Sequence, residues 1–110
     1  MIFLTTKDLE KALGLVKIAG GDTVKEVSGM YICDLLSLVM SKARQNCAWI
    51  TVQTNINIVA VAHLADISCI IIPEGIAVDN NTIVKANDEG ILIYQSQKTS
   101  YELAVEFSKL

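Results

Sequence analysis

Apolar positions along this chain switch between helical and strand spacing, and the order of the switches predicts the fold. Leu9, Ala12 and Leu13 recur at helical spacing behind Thr5 and Asp8, whose separation suits a capping box, and Gly14 supplies a C-terminal stop. A short first helix is predicted there. Val16 to Ala19 reads as extended, and Gly20-Gly21-Asp22 as a turn. Val27 to Cys33 then reads as a strand with Val27, Gly29, Tyr31 and Cys33 on one side. Asp34 is positioned to cap a second helix that buries Leu35, Leu36, Val39, Met40 and Ala43.

From there one unit repeats: a short apolar, β-rich run, a polar turn, then a segment of helical period. Such repetition predicts parallel βαβ units. Ala48 to Gln53 is a strand and Asn55 to Asp66 the helix after it. Cys69 to Ile72 is apolar without alternation, as expected of a strand covered on both faces. Asp79 is placed to cap the next helix, in which Ile83 and Ala86 face inward, and Gly90 ends it. Ile91 to Gln95 is the last strand, and Thr99 with Glu102 opens a closing helix that carries Leu103, Ala104 and Phe107. The expected fold class is α/β, a single domain over residues 1–110, with a mostly parallel sheet of about four or five strands flanked by helices.

The helix predicted over Asn55 to Asp66 is unlike the others. Ile56, Ile58, Val59, Ala60, Val61, Ala62, Leu64 and Ala65 wrap nearly its whole circumference, and a helix apolar all round is normally buried on both sides. Only Asn57, His63 and Asp66 break the surface, with His63 and Asp66 close enough in sequence to pair. One small domain has little material to cover both faces. A second copy is therefore expected on one of them, as a twofold homodimer through Ile56, Val59, Ala60 and His63.

Composition changes this picture mainly by exclusion. Of the 110 residues 52% are hydrophobic and 19% charged, with one Pro and six Gly, so the chain has the means to bury a core. The net charge is −3 and Arg44 is the only arginine, so no nucleic-acid partner is expected. No membrane partner is expected either, because charged or polar residues interrupt every run well short of the roughly 18 apolar residues of a membrane span. Met1 to Lys7 lacks the basic, apolar and small-residue regions of a secretory leader. Cys33, Cys47 and Cys69 are odd in number and contain no C-x-x-C pair, which fits buried thiols in a reducing cytoplasm.

Candidate chemistry is sparse. Ligands of open parallel sheets sit beyond the carboxyl ends of the strands, and the polar residues there include Gln53, Thr54, Asn55 and Asn57, then Glu74 and Gly75, then Ser96 and Thr99. Two readings apply to them: a pocket for a small polar or phosphorylated molecule, or ordinary turn and cap chemistry. The glycine patterns of phosphate-binding loops are missing, so nucleotide hydrolysis or kinase activity is not expected. His63 is the only histidine and has no clustered ligands, so neither a metal nor a cofactor is expected. Beside Asp66 it has the ingredients of a general base, but its mid-helix position favours packing. No nucleophile elbow occurs, and Trp49 and Tyr31 lack the basic neighbours of a stacking platform.

The segments Val27-Ser28-Gly29-Met30-Tyr31-Ile32-Cys33-Asp34-Leu35-Leu36-Ser37, Trp49-Ile50-Thr51, Asn57 to Ala62, Cys69 to Gly75 and Ser100 to Ala104 together resemble the DRTGG domain family, a module similar to the N-terminal domain of bacterial HPr kinase. The resemblance implies a domain that sits beside CBS pairs in regulated pyrophosphatases, in phosphotransacetylases or in short stand-alone chains, acting there in dimerisation and regulation. The family's Asp-Arg cluster corresponds to Thr54 and Asn55, and its Thr-Gly-Gly cluster to Pro73, Glu74 and Gly75, of which only the last glycine matches. The expected function is a non-catalytic regulatory or dimerisation module. The alternatives are a sensor of a nucleotide or phosphorylated metabolite, and a minor enzyme.

Overall fold

A computed structural model of the chain describes residues 4–110, so the leader reading of Met1 to Phe3 lies outside the described residues. Twelve elements follow one another: β1 (Leu4–Thr5), α1 (Thr6–Leu13), β2 (Val16–Ala19), β3 (Glu26–Val27), β4 (Gly29–Ile32), α2 (Leu36–Lys42), β5 (Cys47–Ile50), α3 (Asn57–Leu64), β6 (Cys69–Ile72), α4 (Asn80–Glu89), β7 (Ile93–Gln95) and α5 (Ser100–Ser108). The main sheet has the order β2-β7-β6-β5-β4. Its strands β4 to β7 are parallel, and β2 pairs antiparallel with β7 at one edge. A separate antiparallel pair, β1 with β3, sets Leu4 against Val27. No helix of the described residues is long and apolar enough to cross a membrane.

Alternation along the central strands divides the core in two. Trp49, Ile70, Ile72 and Ile93 point to one face and pack with Val39 of α2, Ile58, Val59 and Ala62 of α3 and Ala86 of α4. Ala48, Ile50, Cys69, Ile71 and Tyr94 point to the other, against Leu9 and Leu13 of α1 and Leu103 of α5. This makes three layers, helices on both faces of a mostly parallel sheet, and it explains why β5 and β6 are apolar without alternation. The expected α/β class and strand number are those of the structure.

Helix boundaries follow local chemistry where that chemistry is self-contained. Thr5 with Asp8, and Thr99 with Glu102, form complete capping boxes, and Gly14 and Gly90 close α1 and α4 in the left-handed conformation. At Gly20 the chain crosses the edge of the sheet so closely that a Cβ would stand 2.6 Å from Leu92 Cα, and φ is +105°. Only glycine fits that crossing.

Four expectations need correction. The segment Val27 to Cys33 is not one strand: Ser28 interrupts it, its N–H donating to Asn46 O, so Val27 faces the α1/α5 core while Tyr31 and Cys33 face the α2–α4 core. Asp34 does not cap α2, whose N-cap is Leu35 without a side-chain bond. Leu35 and Met40 are exposed, and of the expected stripe only Val39 is fully buried; α2 packs against α3, and Leu36 and Ala43 reach the core only in part. Finally, Val59 is 0% exposed within its own chain and packs into the core, so it is not at the surface for a partner to meet, whereas Ile56, Ala60 and His63 are exposed.

Candidate functional site

Strands β4 to β7 run parallel, so their carboxyl ends and the loops that follow share one end of the sheet. The loop after β5 is organised by Asp34, which leaves β4 one residue beyond Cys33. One carboxylate oxygen, Oδ1, accepts from Thr51 Oγ1 at 2.9 Å and from Val52 N–H at 2.9 Å. Gln53 returns the contact, donating from Nε2 to Asp34 O at 3.0 Å, while its N–H donates to Thr51 Oγ1 at 3.2 Å. Asn55 Nδ2 donates to Gln53 Oε1 at 3.1 Å, and Asn55 Oδ1 accepts from Asn57 N–H at 2.9 Å. Three of the expected site residues, Gln53, Asn55 and Asn57, thus form one chain of hydrogen bonds anchored on Asp34.

Thr54 faces the other way. Its hydroxyl donates to Asp79 Oδ1 at 3.3 Å and its carbonyl accepts from the buried Thr82 hydroxyl at 2.8 Å, tying the β5–α3 loop to the start of α4. Asp79 occupies the N-cap position of α4 but makes no side-chain cap bond, since its carboxylate serves Thr54 instead.

Glu74, Gly75 and Ser96 form a second group. Glu74 N–H donates to Lys98 O at 2.9 Å, Gly75 N–H to Ser96 O at 2.8 Å, and the buried Ser96 accepts at Oγ from Lys98 N–H at 3.1 Å. Both Glu74 and Gly75 are left-handed, with φ of 61° and 64°, and a Cβ at Gly75 would stand 2.5 Å from Gln97 Oε1. For glutamate that conformation is costly. Thr99 belongs to its own capping box, its hydroxyl accepting from Glu102 N–H. Among the described residues no hydrogen bond joins this group to that of Asp34 and Gln53. The two groups share an end of the sheet without forming one site.

Asp34, Asp79 and Thr82 were not among the expected site residues. Their residue types mark them as cap or turn formers, and their actual partners lie on other elements. The His63–Asp66 pairing is also corrected: α3 ends at Leu64, Asp66 turns away with φ of 58°, and its carboxylate accepts from Gln45 Nε2 at 2.9 Å. Trp49 is fully buried, its Nε1–H donating to Cys33 O at 2.8 Å. Cys47 and Cys69 are buried free thiols, and burial pushes both above the ordinary thiol pKa, which suppresses the reactive thiolate. No group of three or more His, Cys, Asp or Glu among the described residues has metal-holding geometry.

A second surface is distinct from these loops. Along the outer side of α3, Ile56, Ala60 and Leu64 follow one another at four-residue spacing, with Leu64 68% and Ile56 39% exposed. The neighbouring α2 adds Leu35, 62% exposed, and Leu38.

No protein-family model matches the chain, and no curated protein matches its sequence. Its structure is similar to that of the CBS and DRTGG domains of the regulatory region of a Clostridium perfringens pyrophosphatase, solved in complex with the activator diadenosine tetraphosphate. The TM-score is 0.73 at 13% identity, over 91% of this chain and 44% of that one. The chain therefore spans less than half the length of its structural neighbour. At that identity the likeness is one of fold, and the fold is DRTGG-like.

Proposed function

We propose that the chain is a non-catalytic regulatory module that pairs with a second copy of itself through the outer side of α3. The apolar stripe of Ile56, Ala60 and Leu64 carries this reading, because exposed apolar residues aligned on one helix face mark an association surface when water would otherwise hydrate them. His63 lies on the same helix as a polar member of that face, and Leu35 and Leu38 extend it onto α2. A twofold arrangement lets one such face serve both partners. The similarity to a regulatory region supports a regulatory role, and an intracellular, cytoplasmic setting suits the three free thiols. Leu64 ends α3 and touches little of the core, so Leu64→Glu tests association without disturbing the fold. The expected result is a halved light-scattering mass with unchanged circular dichroism; an unchanged dimer mass would refute this assignment of the face.

Ligand sensing at the strand ends is the second reading, favoured by the left-handed Glu74. Strain of this kind collects at ligand sites, and Gln53, Thr54, Asn55, Asn57, Gly75, Ser96 and Thr99 surround the same end of the sheet. A nucleotide or phosphorylated metabolite is the proposed ligand class. A melting-temperature screen with adenine nucleotides checks it, since a ligand at 100 times its Kd adds about 2.7 kcal/mol of stability. A rise abolished by Glu74→Ala supports the site, and no rise with any nucleotide refutes it.

A further inference from the structure

We infer that the cleft between the start of β4 and the end of α2 is a binding site for a small organic oxyanion, a phosphate monoester or carboxylate joined to an apolar group. This site is independent of the strand-end reading, because it lies at the opposite end of the parallel strands. Its volume is about 250 Å³, and Gly29, Met30, Tyr31, Lys42, Arg44 and Cys47 line it together with Ser28. That size is just below the range of drug-sized ligand pockets and suits a small molecule.

The charge in the cleft is all of one sign. Lys42 and Arg44 are both exposed, and neither takes part in the two ion pairs of the described residues, Lys85–Glu89 and Lys98–Glu106. Ala43 between them is extended, with φ of −66° and ψ of 132°, and Lys42 and Arg44 on either side of it line the same cleft. The carboxylate of Asp66 is held by Gln45 and is not among the groups that line the cleft. The dipole of α2 favours a cation at its C-terminus, but it does not require an open cleft beneath two cations without an acid. In a chain with net charge −3 that juxtaposition selects for an anion. The guanidinium of Arg44, the only arginine, has the planar fork that matches phosphate or carboxylate.

The frame that holds these groups is fixed before any ligand arrives. Cys47 N–H donates to Arg44 O, Asn46 N–H to Asp66 O and Ser28 N–H to Asn46 O, and the Ser28 hydroxyl donates to Gln45 O at 2.9 Å. Tyr31 lines the cleft with a phenol that is protonated at neutral pH and can donate a hydrogen bond, and desolvation raises its pKa further above the ordinary value. A Cβ on Gly29 would meet nothing within 4 Å, leaving open space beside Tyr31 where the ligand's apolar part fits.

The test is an amide NMR titration of the whole chain with phenyl phosphate and, separately, with benzoate, each against sodium sulfate at matched ionic strength. Saturable shifts at the Gly29, Tyr31 and Arg44 amides with either aromatic probe are expected, and which probe binds more tightly tells phosphate from carboxylate. Arg44→Gln should weaken binding by about tenfold or more. Gly29→Val should block it while leaving the remaining spectrum in place, since the position is ordinary strand with free space above it. Shifts confined to other parts of the molecule, shifts equalled by sulfate alone, or undiminished binding by Arg44→Gln would overturn the inference.

Discussion

Asp34 shows what a single residue does in this fold and what its sequence context conceals. Its type marks a helix cap, yet its carboxylate joins the ends of β4 and β5 through Thr51 and Val52. Those partners follow from the register of two parallel strands, which no local pattern encodes. Asp34→Ala should leave the buried Thr51 hydroxyl without its acceptor and lower stability by about 1–3 kcal/mol in urea unfolding. Gly20 is the opposite case, read correctly as turn chemistry but for a reason only the structure gives, the approach to Leu92. Gly20→Ala should cost more than 1 kcal/mol by the same measurement, since both the positive φ and the close contact oppose a Cβ. Val59→Ala should cost about 2 kcal/mol as an ordinary core cavity and leave any self-association unchanged.

Elements were legible where their signals are local. The two capping boxes and the two left-handed glycine stops are written in spacings of three or four residues, and α1, α4 and α5 begin or end where those spacings say. The face that α2 buries was not legible, because its apolar spacing offers Leu35 and Met40 as well as Val39, and only packing against the sheet and α3 decides which of them enters the core. The capping boxes also set a pH response. The Asp8 and Glu102 carboxyls are held below their ordinary values of 3.8 and 4.5, first by the backbone N–H of Thr5 and Thr99 and next by the hydroxyls of the same residues. A depressed carboxylate stabilises the fold above its unfolded pKa and loses that contribution as pH falls through the folded value. The melting temperature should therefore fall as acid passes through and below pH 3.8 to 4.5, and fall less in the Asp8→Asn, Glu102→Gln double variant.

At the scale of the molecule, repetition of apolar strand and amphipathic helix was enough to predict a three-layer α/β domain, because each unit buries itself against the same sheet. The helix apolar all round resolves into two sides: Ile58, Val59, Val61 and Ala62 enter the chain's own core, and Ile56, Ala60 and Leu64 remain outside. Sequence spacing could not divide these sets, since the side a helix turns to its sheet depends on the loops that deliver it. The strand-end residues lie at one end of the sheet, and their division into separate hydrogen-bonded groups depends on partners far away in sequence. The central claim is that the outer set meets its equal on a second copy. Sedimentation equilibrium of the native chain over a micromolar dilution series measures this directly. The account predicts a mass of twice 12.0 kDa that falls toward one chain only on dilution, and a single-chain mass at every concentration would contradict it.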